Sequence, residues 1–247
     1  MKIKKIQIQN QNEKKEDKED TSNFLLQKDG VMGEVRDADI ALLKTFKVGY
    51  IMDLMVEKRK KKYGVYVCSS EKADSFERYK DFHINECPYP GVEIFSEFYN
   101  NKYCGKDLKF DWSSPSNTAK LSIDKTLLER LNSTELKNIN YQDYQKWDII
   151  DITLNYLKLL LLIVANPNNK DGILIHCVSG YDRTPFFVGL LRCSFWADGL
   201  IHQNLNVDEF LYLTISYDWL LEIKLEALFQ RFKEIYNEII IPLLKKN

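Results

Sequence analysis

The segment His176-Cys177-Val178-Ser179-Gly180-Tyr181-Asp182-Arg183-Thr184-Pro185 sets a cysteine and an arginine six positions apart, between an apolar run (Ile173, Leu174, Ile175) and a Thr-Pro pair. Such a layout can hydrolyse a phosphate ester. The backbone N–H groups of Val178, Ser179, Gly180, Tyr181 and Thr184 can wrap an anion while Cys177 attacks phosphorus and Arg183 grips two oxygens with its planar fork. Only the thiolate is a good nucleophile. A free cysteine has a pKa of about 8.5, and helix N-termini and nearby cations lower it to roughly 3.5–7.5. The Thr184 hydroxyl can also donate to the sulfur. Gly180 allows a sharp turn that brings backbone close to phosphate, and His176, alternating to the opposite face of its strand, is expected to orient the cysteine backbone.

The flanking elements must supply that geometry. Gly172 to Cys177 reads as a short buried strand entered through turn residues (Asn168, Asn169, Asp171). Thr184 is the expected N-cap and Pro185 the first residue of a helix that is apolar on nearly every side and stops at Gly199. Strand, tight loop and helix N-terminus together form an anion site.

Elsewhere the pattern predicts a short helix over Ala38–Phe46 and a strand over Val48–Val56, with Tyr50, Met52, Leu54 and Val56 on one face. It also predicts a strand over Tyr63–Val67 and a turn at Pro88, Pro90 and Gly91 leading to Val92–Phe95. Asn100 to Asn117 reads as irregular. A long helix is expected over Tyr144–Ala165 through Trp147, Ile150, Leu154, Leu157, Leu161 and Val164. Asn206 and Glu209 form a capping-box pattern ahead of Phe210, Leu213, Tyr217 and Leu220, expected to face the core, and Glu222–Leu244 reads as a last helical stretch. The fold class is α/β, a mostly parallel sheet with helices on both sides. Residues 1–24, charged and amide-rich, are expected to be disordered, leaving 25–247 as the folded domain.

With 35 basic and 36 acidic residues the formal net charge is −1, so no global field points to nucleic acid. Five scattered cysteines without a CxxC pair fit free thiols in a reducing, cytoplasmic setting and argue against a zinc site. Met1–Asp20 has no apolar run of the signal-peptide kind, and Leu159–Ala165, the longest apolar run, is far short of the ~20 residues that span a bilayer. No transmembrane segment, metal or cofactor is expected. Lys58-Arg59-Lys60-Lys61-Lys62 reads as a loop, either simply solvated or in contact with anionic lipid headgroups if it shares the face of the Cys177 loop.

The loop from Cys177 to Thr184 resembles the signature loop of the myotubularin-related phosphatases, within the protein tyrosine phosphatase superfamily. It is most similar to a divergent branch that also has Ser in the third place and Pro after the Thr. Further similar stretches are Met52–Glu57, Ser69–Lys72, Pro88–Gly91, Asn155–Leu160, Trp196–His202 and Tyr217–Trp219, so the resemblance runs from about Val35 to Leu220. It implies a protein tyrosine phosphatase-like fold and removal of the 3-phosphate from phosphatidylinositol 3-phosphate and the 3,5-bisphosphate, without metal or cofactor. Phosphoinositide headgroups at a membrane surface would be the partners, met peripherally. Cys177 would be the nucleophile, Arg183 the phosphate clamp and Asp182 the loop acid. Mainstream members carry Asp and Trp where this chain has Ser179 and Tyr181.

The group that protonates the leaving oxygen stays open. Asp182 lies in the loop but beside Arg183, which favours the carboxylate and a salt-bridge role. Asp143, at the start of the long helix, stands where related phosphatases bring an acid from a separate loop, and Asp111 is more remote. His83 and His202 read as structural. Two other functions use the same residues: a protein tyrosine or dual-specificity phosphatase, and a catalytically weak adaptor.

Overall fold

The computed structural model describes residues 31–62, 65–102, 104–131, 136 and 138–219, which fall into two units divided between Phe46 and Lys47. The first holds helix α1 (Val31–Thr45), which starts well before the expected Ala38. Its last turn is closed by the Thr45 hydroxyl on the Ala41 carbonyl (2.8 Å) and by the Phe46 N–H on that of Leu42 (3.0 Å). The expected disordered segment 1–24 and the helical stretch 222–244 lie outside the described residues.

The second unit begins with β1 (Val48–Asp53). A hairpin of β2 (Lys60–Lys62) and β3 (Val65–Val67), a one-turn helix α2 (Ser70–Ala73) and β4 (His83–Glu86) follow. Next come α3 (Val92–Asn100), α4 (Lys125–Leu131), a 3₁₀ turn over Tyr141–Lys146 and α5 (Ile149–Ala165). Then β5 (Gly172–His176) leads into α6 (Arg183–Ala197) and α7 (Val207–Trp219). The architecture is mixed α/β, with a parallel sheet of order β4-β1-β5 flanked by helices. Parallel neighbours need long crossovers, and the stretches between the three strands provide them. All three strands therefore end at the same edge, where Asp53 pairs with both Glu86 and His176.

Strand β1 is the middle strand and is buried from Gly49 to Asp53. The alternating pattern expected there gives way to burial on both faces, as a parallel sheet covered by helices requires. The edge is sealed in part by the loop after α3. Glu86 and Ser122 exchange N–H···O bonds (2.8 and 2.9 Å), and the Ala119 N–H reaches the Val56 carbonyl (2.9 Å). This loop is irregular over 104–124, as the Gly, Ser and Pro content of Asn100–Asn117 led us to expect.

The core is strongly aromatic. Tyr89, Tyr156 and Phe187 are fully enclosed, with Tyr89 edge-on to Phe187 (centroids 4.9 Å apart) and tilted against Tyr156 and Phe186. Their polar ends are satisfied: the Tyr89 hydroxyl meets that of Thr153 (2.8 Å) and the Tyr156 hydroxyl donates to the Pro88 carbonyl (3.1 Å). Aromatic pairs of this kind add ~0.5–1.5 kcal/mol beyond the area they bury.

Several element boundaries depart from the sequence-based expectation. The long helix expected from Tyr144 is broken at Trp147, because Asp148 turns back to accept the N–H groups of Ile150 and Asp151 (3.0 and 2.8 Å) and so caps α5. Of the expected stripe on this helix Leu157 is buried, Ile150, Leu154 and Leu161 are half-buried and Val164 is exposed; the buried residues otherwise are Ile149, Ile152, Thr153, Tyr156, Leu159, Leu160 and Ile163. With apolar residues around most of this helix, periodicity did not fix which face turns inward. The basic run is a loop only over Lys58 and Arg59; Lys60, Lys61 and Lys62 form a strand that pairs antiparallel with Val67, Tyr66 and Val65. On α7 the Asn206–Glu209 capping box is present, with reciprocal bonds of 3.0 Å. Phe210 is buried as expected, but beside Leu211, Thr214 and Ile215 rather than Leu213, which is only half-buried. The side chain of Tyr217, and all of Leu220, lie outside the described residues.

Candidate active site

Where the three strands end, the chain is cross-linked by its own backbone. The Leu54 N–H donates to the His176 carbonyl (2.9 Å), the Cys87 N–H to the Asp53 carbonyl (2.8 Å) and the Tyr89 N–H to the Leu54 carbonyl (3.2 Å). Cys177 leaves β5 at this junction, and the loop from Val178 to Asp182 returns the chain to the start of α6. Gly180 takes a positive φ of 73°, and its N–H points at the Cys177 sulfur, 3.3 Å away.

Helix α6 begins two residues earlier on each count than the Thr-Pro pair suggested. Asp182, not Thr184, is the N-cap, and its Oδ1 accepts the Arg183 N–H at 2.7 Å. A carboxylate at this position suits the positive end of the helix dipole. Pro185 thus becomes the third helical residue, still within the first turn where its missing N–H costs nothing. Gly199, with φ of 67°, follows the helix end as expected.

The sulfur is buried, and burial by itself disfavours the thiolate. The Thr184 hydroxyl, the Arg183 charge and the backbone N–H groups of Ser179 and Thr184 outweigh that cost and hold the thiol below its ordinary value. The Thr184 hydroxyl is buried with nothing else to bond. Arg183 is 5% exposed, and its Nη1 donates to the carbonyls of Leu54 (2.9 Å) and Tyr89 (3.3 Å). Among the described residues its Nε has no hydrogen-bond acceptor of its own, although Asp182 Oδ1 stands 3.7 Å away as the ion-pair partner. One edge of the guanidinium is thus fixed to the fold, which holds the group in one orientation beside the Cys177 loop.

Asp182 Oδ1 also lies 3.9 Å from the Cys177 sulfur, so one carboxylate faces the thiol, the arginine and the helix terminus. The structure brings Cys177, Asp182, Arg183 and Thr184 together. It does not bring Asp143 to them through any described contact: Asp143 bonds Lys146 (2.5 Å) and Asn140 (2.6 Å) on its own turn. Asp111 is occupied by the Ser113 N–H (2.9 Å). Tyr181 is 56% exposed at the loop surface, and Ser179 is exposed beside it. His83 is structural, held between Asp124 and the Arg130 guanidinium, and His202 packs its ring near Phe210.

Behind the loop stands a charge network that sequence reasoning did not assemble. His176 Nε2 lies 2.9 Å from Glu71 Oε1, and its Nδ1 lies 3.9 Å from Asp53 Oδ1. Asp53 is fully buried; its Oδ1 accepts the Met55 N–H (2.8 Å) and its Oδ2 sits 2.5 Å from the Lys72 ammonium, which also reaches Glu86 (3.5 Å). Burial works against a charged His176, but the Glu71 hydrogen bond and the charges of Glu71 and Asp53 prevail, so its pKa is raised. Glu71, also opposed by burial, is held down by His176. Asp53, Glu71 and His176 have the donor types and the proximity of a cation site, but Lys72 already supplies the positive charge there. The available signal was Asp53 itself, an acid at the end of an apolar strand (Tyr50, Ile51, Met52).

No protein-family model matches the chain, and no solved structure matches it. Human phosphatidylinositol-3,5-bisphosphate 3-phosphatase MTMR14 is 49% identical over 188 residues, covering 76% of this chain and 28% of that protein. The mouse protein of the same name is 48% identical over the same length. The chain spans little more than a quarter of the curated relatives it matches, and the matched part is most of the chain. It is therefore a relative of the myotubularin-related phosphoinositide 3-phosphatase MTMR14, as the Cys177–Thr184 loop implied.

Proposed function

We propose that this chain is a cysteine-dependent phosphoinositide 3-phosphatase with a protein tyrosine phosphatase-like fold. Its substrates would be phosphatidylinositol 3-phosphate and the 3,5-bisphosphate, met at a membrane surface. The observation that carries the reading is the Cys177 sulfur held at the α6 N-terminus, with the Gly180 N–H at 3.3 Å and the fixed Arg183 guanidinium beside it. The activity for which the MTMR14 relatives are named supplies the substrate class. Among the described residues no helix is long and apolar enough to cross a membrane.

The Cys177 thiolate attacks phosphorus in line, an S–P bond forms, and the P–O bond to the inositol ring breaks. Arg183 and the loop N–H groups hold the non-bridging oxygens as charge builds on them. The departing ring oxygen takes a proton from an acid. Water then attacks the phosphocysteine, losing a proton to a base; the S–P bond breaks, and inorganic phosphate and thiolate are released. Asp182, 3.9 Å from the Cys177 sulfur, would carry this proton traffic. Being fixed by the Arg183 N–H, it can serve without reorganising.

Phosphate release should be measured from a panel of phosphoinositides and phosphotyrosine peptides, with Cys177→Ser as control. Release from 3-phosphorylated lipids that vanishes in Cys177→Ser is the expected result. Turnover of peptides alone would reassign the chain to the protein phosphatases, and no release by folded protein would make it an adaptor.

A further inference from the structure

The Leu54 carbonyl that fixes Arg183 lies only four residues before Lys58, the first member of the basic run. Four residues span at most roughly 14 Å when fully extended. The run therefore leaves the fold at the same edge of the sheet as the Cys177 loop, within that reach of the phosphate clamp. The chain between is pinned. The Val56 carbonyl accepts the Ala119 N–H (2.9 Å), the Lys58 N–H donates to Thr118 Oγ1 (2.9 Å), and buried Glu57 holds Lys60 (2.9 Å).

The hairpin then displays what the pinned segment leads into. Lys58, Lys60 and Lys61 are exposed, and the β2–β3 pairing holds Lys60–Lys62 extended behind the bend at Lys58 and Arg59. Consecutive strand residues alternate faces, so these charges spread along a ribbon rather than gather into one pocket. A ribbon of positive charge matches an extended anionic surface better than a single compact anion. Because the whole chain has a net charge of −1, this attraction is local to the rim of the site.

We infer that the Lys58–Lys62 hairpin docks the chain on an anionic lipid bilayer, setting the Cys177 loop against the headgroup layer. The inference rests on the phosphoinositide phosphatase reading for its purpose, but the docking can be tested apart from catalysis. Each basic residue near an anionic surface contributes on the order of a fivefold gain in binding. Lys58→Gln/Arg59→Gln/Lys61→Gln leaves the Glu57–Lys60 pair intact and removes three charges.

The full chain should be sedimented with phosphatidylcholine vesicles, with and without phosphatidylserine, at about 0.1 M and about 1 M salt, where screening lengths are roughly 10 and 3 Å. The expected result is binding only to phosphatidylserine vesicles, lost at high salt and weakened roughly a hundredfold in the triple variant. Lys58→Arg/Lys61→Arg should bind as the parent does. Turnover of a soluble short-chain 3-phosphorylated inositol lipid should be unchanged in the triple variant, which also shows that it folds. Should that variant not fold, the salt series on the parent and the arginine variant still decide the matter. Equal binding by parent and triple variant, salt-insensitive binding, or binding to single-stranded RNA but not to vesicles would each overturn the inference. Vesicle binding without any lipid turnover would leave docking standing and sink the phosphatase reading instead.

Discussion

Glu71 Oε1 and His176 Nε2 meet at 2.9 Å across 105 residues of sequence, joining the one-turn helix α2 to the residue just before Cys177. His176 is therefore charged over a wider pH range than a free imidazole, whose pKa is about 6.5. A raised folded-state pKa contributes stability that is fully present below the unfolded value and lost as pH rises through the folded one. Glu71→Gln removes the charge but keeps an acceptor. It should lower thermal stability by about 1–2 kcal/mol between the Glu71 and His176 titrations, where both groups are charged. The gap should narrow as pH rises past the His176 titration. Melting curves across a pH series check this, and a gap independent of pH would show that the pair carries no charge.

The thiol itself can be titrated by alkylation. Cys177 should react with iodoacetamide with a midpoint below the ~8.5 of a free cysteine. Thr184→Val should move that midpoint upward, because the hydroxyl is one of the groups that outweigh burial at the sulfur. Cys87 should not react in folded protein: it is fully enclosed, and burial together with Asp53 and Glu86 pushes its thiol up. Mass spectrometry of the labelled sites distinguishes the two cysteines.

Arg183→Lys should damage the fold as well as the chemistry. A lysine keeps the charge but cannot serve the Leu54 and Tyr89 carbonyls and the phosphate with one rigid plane. We expect a stability loss of about 1–3 kcal/mol from the carbonyls left short of a donor, together with a fall in kcat. Chemical denaturation and steady-state kinetics on the same preparation separate the two effects. A variant with full stability and only a raised KM would mean that the carbonyl contacts carry little energy.

The proton carrier is tested by comparing Asp182→Asn with Asp143→Asn on a lipid substrate and on an aryl phosphate with a good leaving group. Asparagine is as good an N-cap as aspartate, so Asp182→Asn should fold normally. Lipid turnover should fall roughly 10²–10⁴-fold, the usual worth of a general acid or base, and the aryl phosphate should suffer less. Asp143→Asn should stay near the parent rate on both, since its carboxylate is engaged by Lys146 and Asn140 on its own turn. Wild-type lipid turnover by Asp182→Asn would move the role elsewhere.

The loop was legible in sequence because its chemistry is local. Cys177, Gly180, Arg183 and the turn into α6 are neighbours in the chain, so residue type and spacing sufficed. The capping box at Asn206 and Glu209 and the stop at Gly199 were legible for the same reason. What escaped was long-range or lacked a side-chain signature. Asp53, Glu71, Lys72 and Glu86 come from three elements that only the fold assembles. The Leu54 and Tyr89 carbonyls that hold Arg183 could belong to any residue type. The phase of α5 was misjudged because leucines on most sides leave little amphipathic signal. The break before Asp148 was missed because capping by that carboxylate competes with continuing the helix. Lys60–Lys62 read as a loop by composition, yet cross-strand pairing with Val65–Val67 overrode low β-propensity.

Gly180 has a wider consequence. A side chain built there would meet no heavy atom within 4 Å, yet its φ of 73° lies where L-residues are strained. The constraint at this turn is thus one of handedness and not of room. Gly180→Ala should disturb the loop by twisting the N–H away from the sulfur, whereas D-alanine introduced by semisynthesis should be accommodated. An amide donor to the Cys177 sulfur is thus set by the mirror preference of a single α-carbon, a requirement that no change in the size of surrounding side chains could relax.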